Sequence, residues 1–368
     1  MQALARNGYT ADQVIAALHA PARTLAFRYE LLDSSNRLKA HLTNVLSGSV
    51  AYNALADIKR TGRFTVRDDG SINYLSDRIK PYARLKMPDG GWAEWALGVL
   101  ILSTPPRKAD AAGVVTREVE AYDQLQVLLD DKAADRYTVA AGTNYIVAVK
   151  AVLDSAGITA QNLTPTASTL PTARDWPPGT PKLRIINDLL GAVNYRSLWF
   201  DEQGVAVAQP YVSPADRAAE YTYQDDAQSV ILPEVQEGLD LFEVPNKWVL
   251  VVSEADRLAL SSTYTNSNPA SPTSTVSRGR TIVDYRQVEA ADQAALDAMA
   301  ARLAFEASQV YEQVEFETGI MPMHSDSDVL NLKFAALGLD AKYSEVGWEF
   351  ELKAGGRMRH RVRRVVSV

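Results

Sequence analysis

The stretch VGWEFELKAGGRMRHRVRR, Val346–Arg364, decides how the rest of the chain is read. Trp348, Phe350 and Leu352 alternate with Glu349, Glu351 and Lys353, the period of two that marks a strand with one buried face. Ala354-Gly355-Gly356 supplies a turn. The return segment puts Arg357, Arg359 and Arg361 on one face and Met358, His360 and Val362 on the other. The spacing predicts a hairpin in which Glu349 and Glu351 face Arg357, Arg359 and Arg361 across the ladder.

The same alternation opens the chain. In RTLAFRYELLD, Leu25, Phe27 and Tyr29 alternate with Ala26, Arg28 and Glu30, and Ser34-Ser35-Asn36 turns the chain into RLKAHL. SVAYNALADIKR, RFTVRD, KPYARLKM and WALGVLIL continue as short strands, with hairpin punctuation at Asp69-Gly70 and Asp89-Gly90-Gly91. Ahead of them Thr10 caps a short helix with Gln13 three residues on, and Pro21 stops it.

Composition changes in the middle. Ile146, Val149 and Leu153 have helical spacing between Asn144 and Ala156, with Gly157 as the stop. Residues 162–181 read as an irregular connection. Thr180-Pro181 reads as a cap plus first-turn proline for a second helix carrying Leu183, Ile186, Leu190 and Val193. SLWF and VAVAQP flank a turn at Asp201-Glu202-Gln203-Gly204. Farther on, SVILPEV and KWVLVVS are strands, residues 261–279 read as a mobile loop, and a long helix spans Glu289 to Ser308 with Leu296, Met299 and Leu303 on one face.

The expected class is α+β and β-dominated: two antiparallel β-barrel domains, an α/β insertion and a helix-containing insertion. The expected boundaries are a helical arm at 1–22, a first β-barrel at 23–110, an α/β domain at 111–215, a second β-barrel at 216–252 plus 311–368, and an insertion at 253–310 with the mobile loop and long helix.

With 368 residues, 46% of them hydrophobic, the chain can bury real cores in about two to four domains. Its net charge of −7 disfavours adhesion to the outside of nucleic acid. The absence of cysteine excludes disulfides, thiolate zinc sites, iron–sulfur clusters and cysteine nucleophiles. No run approaches the roughly 18 apolar residues of a membrane span, and MQALARNGYTADQVIAALHA lacks the apolar core of a secretory signal.

Candidate chemistry is sparse. His19, His41, His324 and His360 show no metal-ligand spacing. The best local cluster is His324, Asp326 and Asp328 in HSDSD, whose carboxylate oxygens a hard cation could use. A polar turn before a strand is the preferred reading, because the cluster supplies too few ligands. There is no GxSxG, and Ser47-Gly48-Ser49 lacks its flanking context; phosphate loops are missing. A glycosidase needs two carboxylates, yet Asp225, Asp226 and Glu234 have no distinguishing context among 45 acidic residues. The run Arg357–Arg364 could mark a nucleic-acid surface. It alternates with apolar residues after a glutamate-bearing strand, so a cross-strand or protein-facing role is preferred. Trp92, Trp95 and Trp348 fit core or interface packing better than sugar platforms. No catalytic residue and no cofactor are expected.

Three stretches carry a resemblance. Asp57–Arg107, DIKRTGRFTVRDDGSINYLSDRIKPYARLKMPDGGWAEWALGVLILSTPPR, resembles the first barrel of the tail hub proteins of actinobacterial long-tailed phages. Pro181–Pro210, PKLRIINDLLGAVNYRSLWFDEQGVAVAQP, is similar to that family's helix–hairpin unit. MPMHSDSDVLNLKF with VGWEFELKAGGRMRHRVRRV is similar to its closing barrel.

The resemblance implies a minor tail protein that forms a trimeric baseplate hub at the tail tip, with six barrels matching a six-fold ring above. Its role would be to adapt that symmetry, close the tube and guide genome ejection. The implied partners are a second and third copy, the distal tail protein, the tape-measure protein, other tail-tip or receptor-binding proteins, and phage DNA passing through the lumen without specific binding. The implied location is the virion, after assembly in host cytoplasm. Longer relatives carry a peptidase or receptor-binding extension, whereas this sequence stops at Val368 after the last expected strand, which leaves a non-enzyme as the expectation. The alternatives are a host-receptor or carbohydrate-binding tail protein, for which only Tyr264 supplies an aromatic on 261–279, and a cell-wall hydrolase.

Overall fold

The computed structural model describes residues 1–239, 242–252, 259–309 and 312–365. It is β-dominated with few helices. Fifteen strands form one sheet. Its path runs Ile231–Leu239, Glu312–Gly319, Arg357–Arg364, Leu339–Glu351, Val45–Asn53, Arg60–Arg67, Val115–Tyr122, Leu100–Leu102, Arg78–Lys86, Leu25–Leu32 and Leu38–Leu42. Among the described residues no pairing joins the two end strands, so the ladders trace one open sheet where two closed barrels were expected.

The seam between the two β-regions is the 13-residue strand Leu339–Glu351. It pairs with Arg357–Arg364 on one side and with Val45–Asn53 on the other. Across the second ladder Trp348 opposes Tyr52 and Phe350 opposes Val50. The Tyr52 and Trp348 rings stack with centroids 5.8 Å apart. The alternation of Trp348, Phe350 and Leu352 is what makes this possible, because all three point into one buried cluster that extends from Val14 to Val362.

Phe64 shows how closely this cluster is built. It opposes Gly48 across its ladder. A Cβ on Gly48 would meet the Phe64 ring at 2.8 Å, and a Cβ on Gly62 would meet Phe64 at 2.8 Å and Leu100 at 2.9 Å. The ring therefore lies over two positions that tolerate no side chain.

Two further cores stand apart. One gathers Leu125 to Ala208 around the helices Tyr145–Ser155 and Lys182–Ala192. The other packs Leu296 and Ala300 of the helix Gln293–Gln309 on Leu250 and Val252. Arg60 links the main sheet to the first of these: its guanidinium, 2% exposed, lies 2.7 Å from Glu202, and its backbone N–H donates to Asp123.

Several expectations need correction. The helix Ala11–Leu18 has the expected Thr10–Gln13 capping box, but it is no free arm, because Val14 and Leu18 belong to the main core. Val115–Tyr122 lies inside the main sheet, not in the α/β unit. KWVLVVS does not join the second β-region; Lys247–Val252 is the middle of a separate three-stranded sheet with Leu260–Thr265 and Val283–Gln287. Pro181, not Thr180, is the N-cap of its helix, and the Thr180 hydroxyl donates instead to the Pro177 carbonyl. Within 261–279, read as mobile, Asn266, Thr273 and Ser274 are fully buried, and Asn266 donates to Ser271. Tyr264 packs on Trp248 at 6.3 Å.

Trp348→Ala should cost about 3–5 kcal/mol and lower hydrogen-exchange protection in both β-regions together, because they share one core. Leu250→Ala should lower protection only in the small sheet and its helix. Loss confined to one β-region in the Trp348 variant would contradict the single core.

Candidate functional site

The turn before Val329–Phe334 carries the HSDSD cluster. The structure divides it. His324 and Asp328 point inward and are essentially unexposed. Asp326 points the other way, to the Tyr52 hydroxyl and the Arg196 guanidinium. Ser327, between them, has φ 52°, the left-handed conformation that lets the chain reverse there.

Two residues remote in sequence complete the inward group. His324 Nδ1 lies 3.0 Å from Asp328 Oδ2 and 2.6 Å from Glu345 Oε2. His360 Nδ1 lies 2.6 Å from Glu345 Oε1. The outer ring nitrogens meet hydroxyls: His324 Nε2 is 2.7 Å from Tyr223 and His360 Nε2 is 2.9 Å from Thr318. The amino group of Met1 lies 2.6 Å from Asp328 Oδ1. Phe316 stacks on His360 at 4.7 Å.

The charges follow from these contacts. Burial disfavours the His324 imidazolium, but Glu345 and Asp328 more than offset it and push its pKa up to about 9. Burial likewise opposes the Asp328 carboxylate, yet His324 and the Met1 amino group hold it at about 2. Glu345 is held below the usual glutamate value by His324 and His360 against the effect of burial. Burial lowers His360 despite Glu345, so His360 is neutral at pH 7. Its one ring proton must then lie on Nδ1, facing the acceptor-only carboxylate, and the Thr318 hydroxyl donates to Nε2.

His324, Glu345 and His360 are also the group that could hold a metal, with ligand atoms within 4.8 Å of one another. Each ring nitrogen already faces a protein partner, while Glu345 Oε2 and Asp328 Oδ1 are buried without a hydrogen bond and are held by charge alone. Sequence reading found His324 and Asp328 but missed Glu345 and His360. The available signal was parity: His360 falls on the buried face with Met358 and Val362. Glu345 had no such signal, because the strand pairing shifts register between Glu345 and Gly347, and the extra residue turns Glu345 inward.

On the outer face, Glu349 opposes Arg359, with Oε1 and Nη1 3.5 Å apart. The other expected pairs differ. Arg357 reaches Glu317 at 3.3 Å, Glu351 is paired with Lys353, and Arg361 lies opposite Gly347 and Glu315. Glu349 and Arg359 are more than half exposed, where such a pair contributes about 0–1 kcal/mol. The glycosidase candidates Asp225 and Asp226 accept backbone bonds from Ala335 and Gln228, and Glu234 is exposed.

No protein-family model matches the chain, and no curated protein matches it in sequence. Solved structures do match in shape. The tail protein from Neisseria meningitidis MC58 aligns at TM-score 0.66 and 14% identity, over 92% of this chain and 97% of that one. The 43 kDa tail protein of prophage MuSo2 from Shewanella oneidensis aligns at 0.61 and 10%, over 92% and 98%. Prophage tail protein gp18 from Listeria monocytogenes EGD-e aligns at 0.53 and 12%, over 92% and 95%. The chain thus has a fold found in phage tail proteins.

Glu345→Gln should destabilise the protein by about 3–5 kcal/mol, since it removes one of the two carboxylates that balance the buried imidazolium and leaves Asp328, already shared with the Met1 amino group, as the other. His324 has a folded pKa above its ordinary 6.5. Its stabilisation is therefore complete below pH 6.5 and is lost as pH rises through about 9. Denaturant titrations across that window should show this decline in wild type and a flatter profile in His324→Gln; equal slopes would contradict the assignment.

Proposed function

We propose that the protein is a structural tail-tip hub of a bacteriophage that infects actinobacteria. The observation that carries this reading is the end-to-end match of one chain with another. It covers 92% of this protein and 97% of the Neisseria tail protein at TM-score 0.66, so the fold corresponds as a whole and not through one shared module.

In this proposal three copies form a closed ring by repeating one interface. The two β-regions flanking the seam serve as the two barrel-like units of each copy, giving six around the ring, to match a six-fold distal tail protein above. The lumen would hold the tape-measure protein and then pass DNA. The separate cores at Leu125–Ala208 and Leu250–Ala300 would face outward as insertions. The exposed arginine face of Arg357–Arg364 would meet a neighbouring tail protein or copy, which accounts for cations whose cross-strand partners are few and solvent-screened.

The mass of the purified protein, measured alone and with the distal tail protein, tests the reading. A trimer in either condition is the expected result, and a monomer in both would reject it. Replacing Arg357, Arg359 and Arg361 together by Gln should lower the melting temperature only slightly, because exposed pairs contribute about 0–1 kcal/mol each, while weakening assembly. Unimpaired assembly would remove this face from the interface.

A further inference from the structure

Where the main sheet, the α/β unit and the small three-stranded sheet meet, there is a cleft of about 730 Å³. Six basic side chains line it: Lys59, Arg196, Arg217, Arg286, Arg302 and Arg363. They come from both β-regions and both other cores. Only Glu306 and Asp326 oppose them on the cleft wall. This concentration of positive charge stands out in a chain of net charge −7.

Four of the six are already paired. Arg302 lies 2.8 Å from Glu306, Arg196 is paired with Asp326, Arg217 is 3.1 Å from Glu220, and Arg286 is 2.8 Å from Asp284. Both wall carboxylates are thereby engaged. The remaining two cations are not. Lys59, 8% exposed, donates to the Ala54 carbonyl at 2.9 Å and forms no ion pair among the described residues. Arg363 likewise forms none, and its Nε is buried without a hydrogen-bond partner.

Burial first, and like charge second, show in the titration of these groups. Burial, followed by the charge of Arg196, pulls Lys59 down to about 8. Burial, Arg217 and Arg302 pull Arg196 down to about 10. Arg363 is lowered by burial and then by Arg361. Like charges gathered in a partly desolvated cleft oppose folding, and an anion placed among them relieves that strain.

The kind of anion follows from the walls. Arg196 lies over Trp199 at 4.9 Å and Arg302 over Tyr211 at 4.5 Å; these stacks fix the two guanidiniums on Asp326 and Glu306, which leaves the Lys59 ammonium and the Arg363 guanidinium to receive a carboxylate or phosphate. The rim is apolar. Leu55 and Val212 line the cleft and are 63% and 52% exposed. An isolated phosphate leaves that rim uncovered, whereas a peptide with acidic and apolar side chains covers both. We infer that this cleft binds an acidic peptide segment of a partner protein, whose carboxylates are received by Lys59 and Arg363 and whose apolar side chains rest on Leu55 and Val212. The inference depends on the cleft's own chemistry and stands whether or not the protein is a tail hub.

The test uses calorimetry and thermal melting of the full chain with a short capped peptide of alternating glutamate and leucine. The comparison ligands are the lysine–leucine counterpart, inorganic phosphate and single-stranded DNA. The glutamate peptide should bind and raise the melting temperature. Lys59→Met and Arg363→Gln should each weaken its binding about tenfold or more. Without peptide, each variant should melt at or above the wild-type temperature, because a repelling charge has gone. A merely structural role for these residues would lower it instead. The inference is overturned if the glutamate peptide does not bind, or if both variants bind it as wild type does. Binding of the lysine peptide, phosphate or DNA as tight as that of the glutamate peptide also overturns it.

Discussion

The strand Leu339–Glu351 is the constraint on which the rest of the structure depends. It is hydrogen-bonded to the first β-region through Val45–Asn53 and to the second through Arg357–Arg364 and Val329–Phe334. Because the pleat alternates, its inner residues must satisfy both regions at once. Trp348 and Phe350 do so by packing in a cluster that draws on both. A slip of one residue would expose Trp348 and Phe350 and bury Glu349. The register of this strand therefore holds the two halves of the sheet together.

The same strand sets polar chemistry inside an apolar core. Beyond the register shift at Glu345/Gly347 it delivers a carboxylate between two histidines. A buried charge is tolerable only when it is paired and hydrogen-bonded, and here Asp328, Tyr223 and Thr318 complete the set. The network has no slack, since its carboxylates and histidines depend on one another's charge state. An apolar substitute would fill the volume more cheaply, and what the polar version adds is directional. It ties the turn before Val329–Phe334 to the neighbouring strands with bonds that only one register satisfies.

Legibility in the sequence followed the range of the interaction. The hairpin around Gly355 and the Thr10 capping box rest on residues a few positions apart, and both could be read directly. The assignment of Lys247–Val252 could not. Its buried positions alternate as they do in the main sheet, and nothing in that period says which sheet a strand will join. Glu345 was hidden for a different reason. Simple alternation from Glu349 places it outside with the surface carboxylates, and only the irregularity at Val346 reverses that. The basic cleft was the least visible feature, because its cations lie on segments that are brought together only by the packing of the three cores.

The pairing of Tyr52 with Trp348 also bears on the order in which the protein is made. A ribosome releases Val45–Asn53 long before Leu339–Glu351 exists. Throughout that interval the first β-region must expose one row of unsatisfied N–H and C=O groups beside a cluster of large apolar side chains. Contacts between such distant segments form slowly, and an uncovered strand edge is a template for intermolecular pairing. The seam that unifies the finished molecule is thus its most vulnerable surface during synthesis. That gives a physical reason for the nascent chain to need either a chaperone or rapid elongation until its final hairpin emerges.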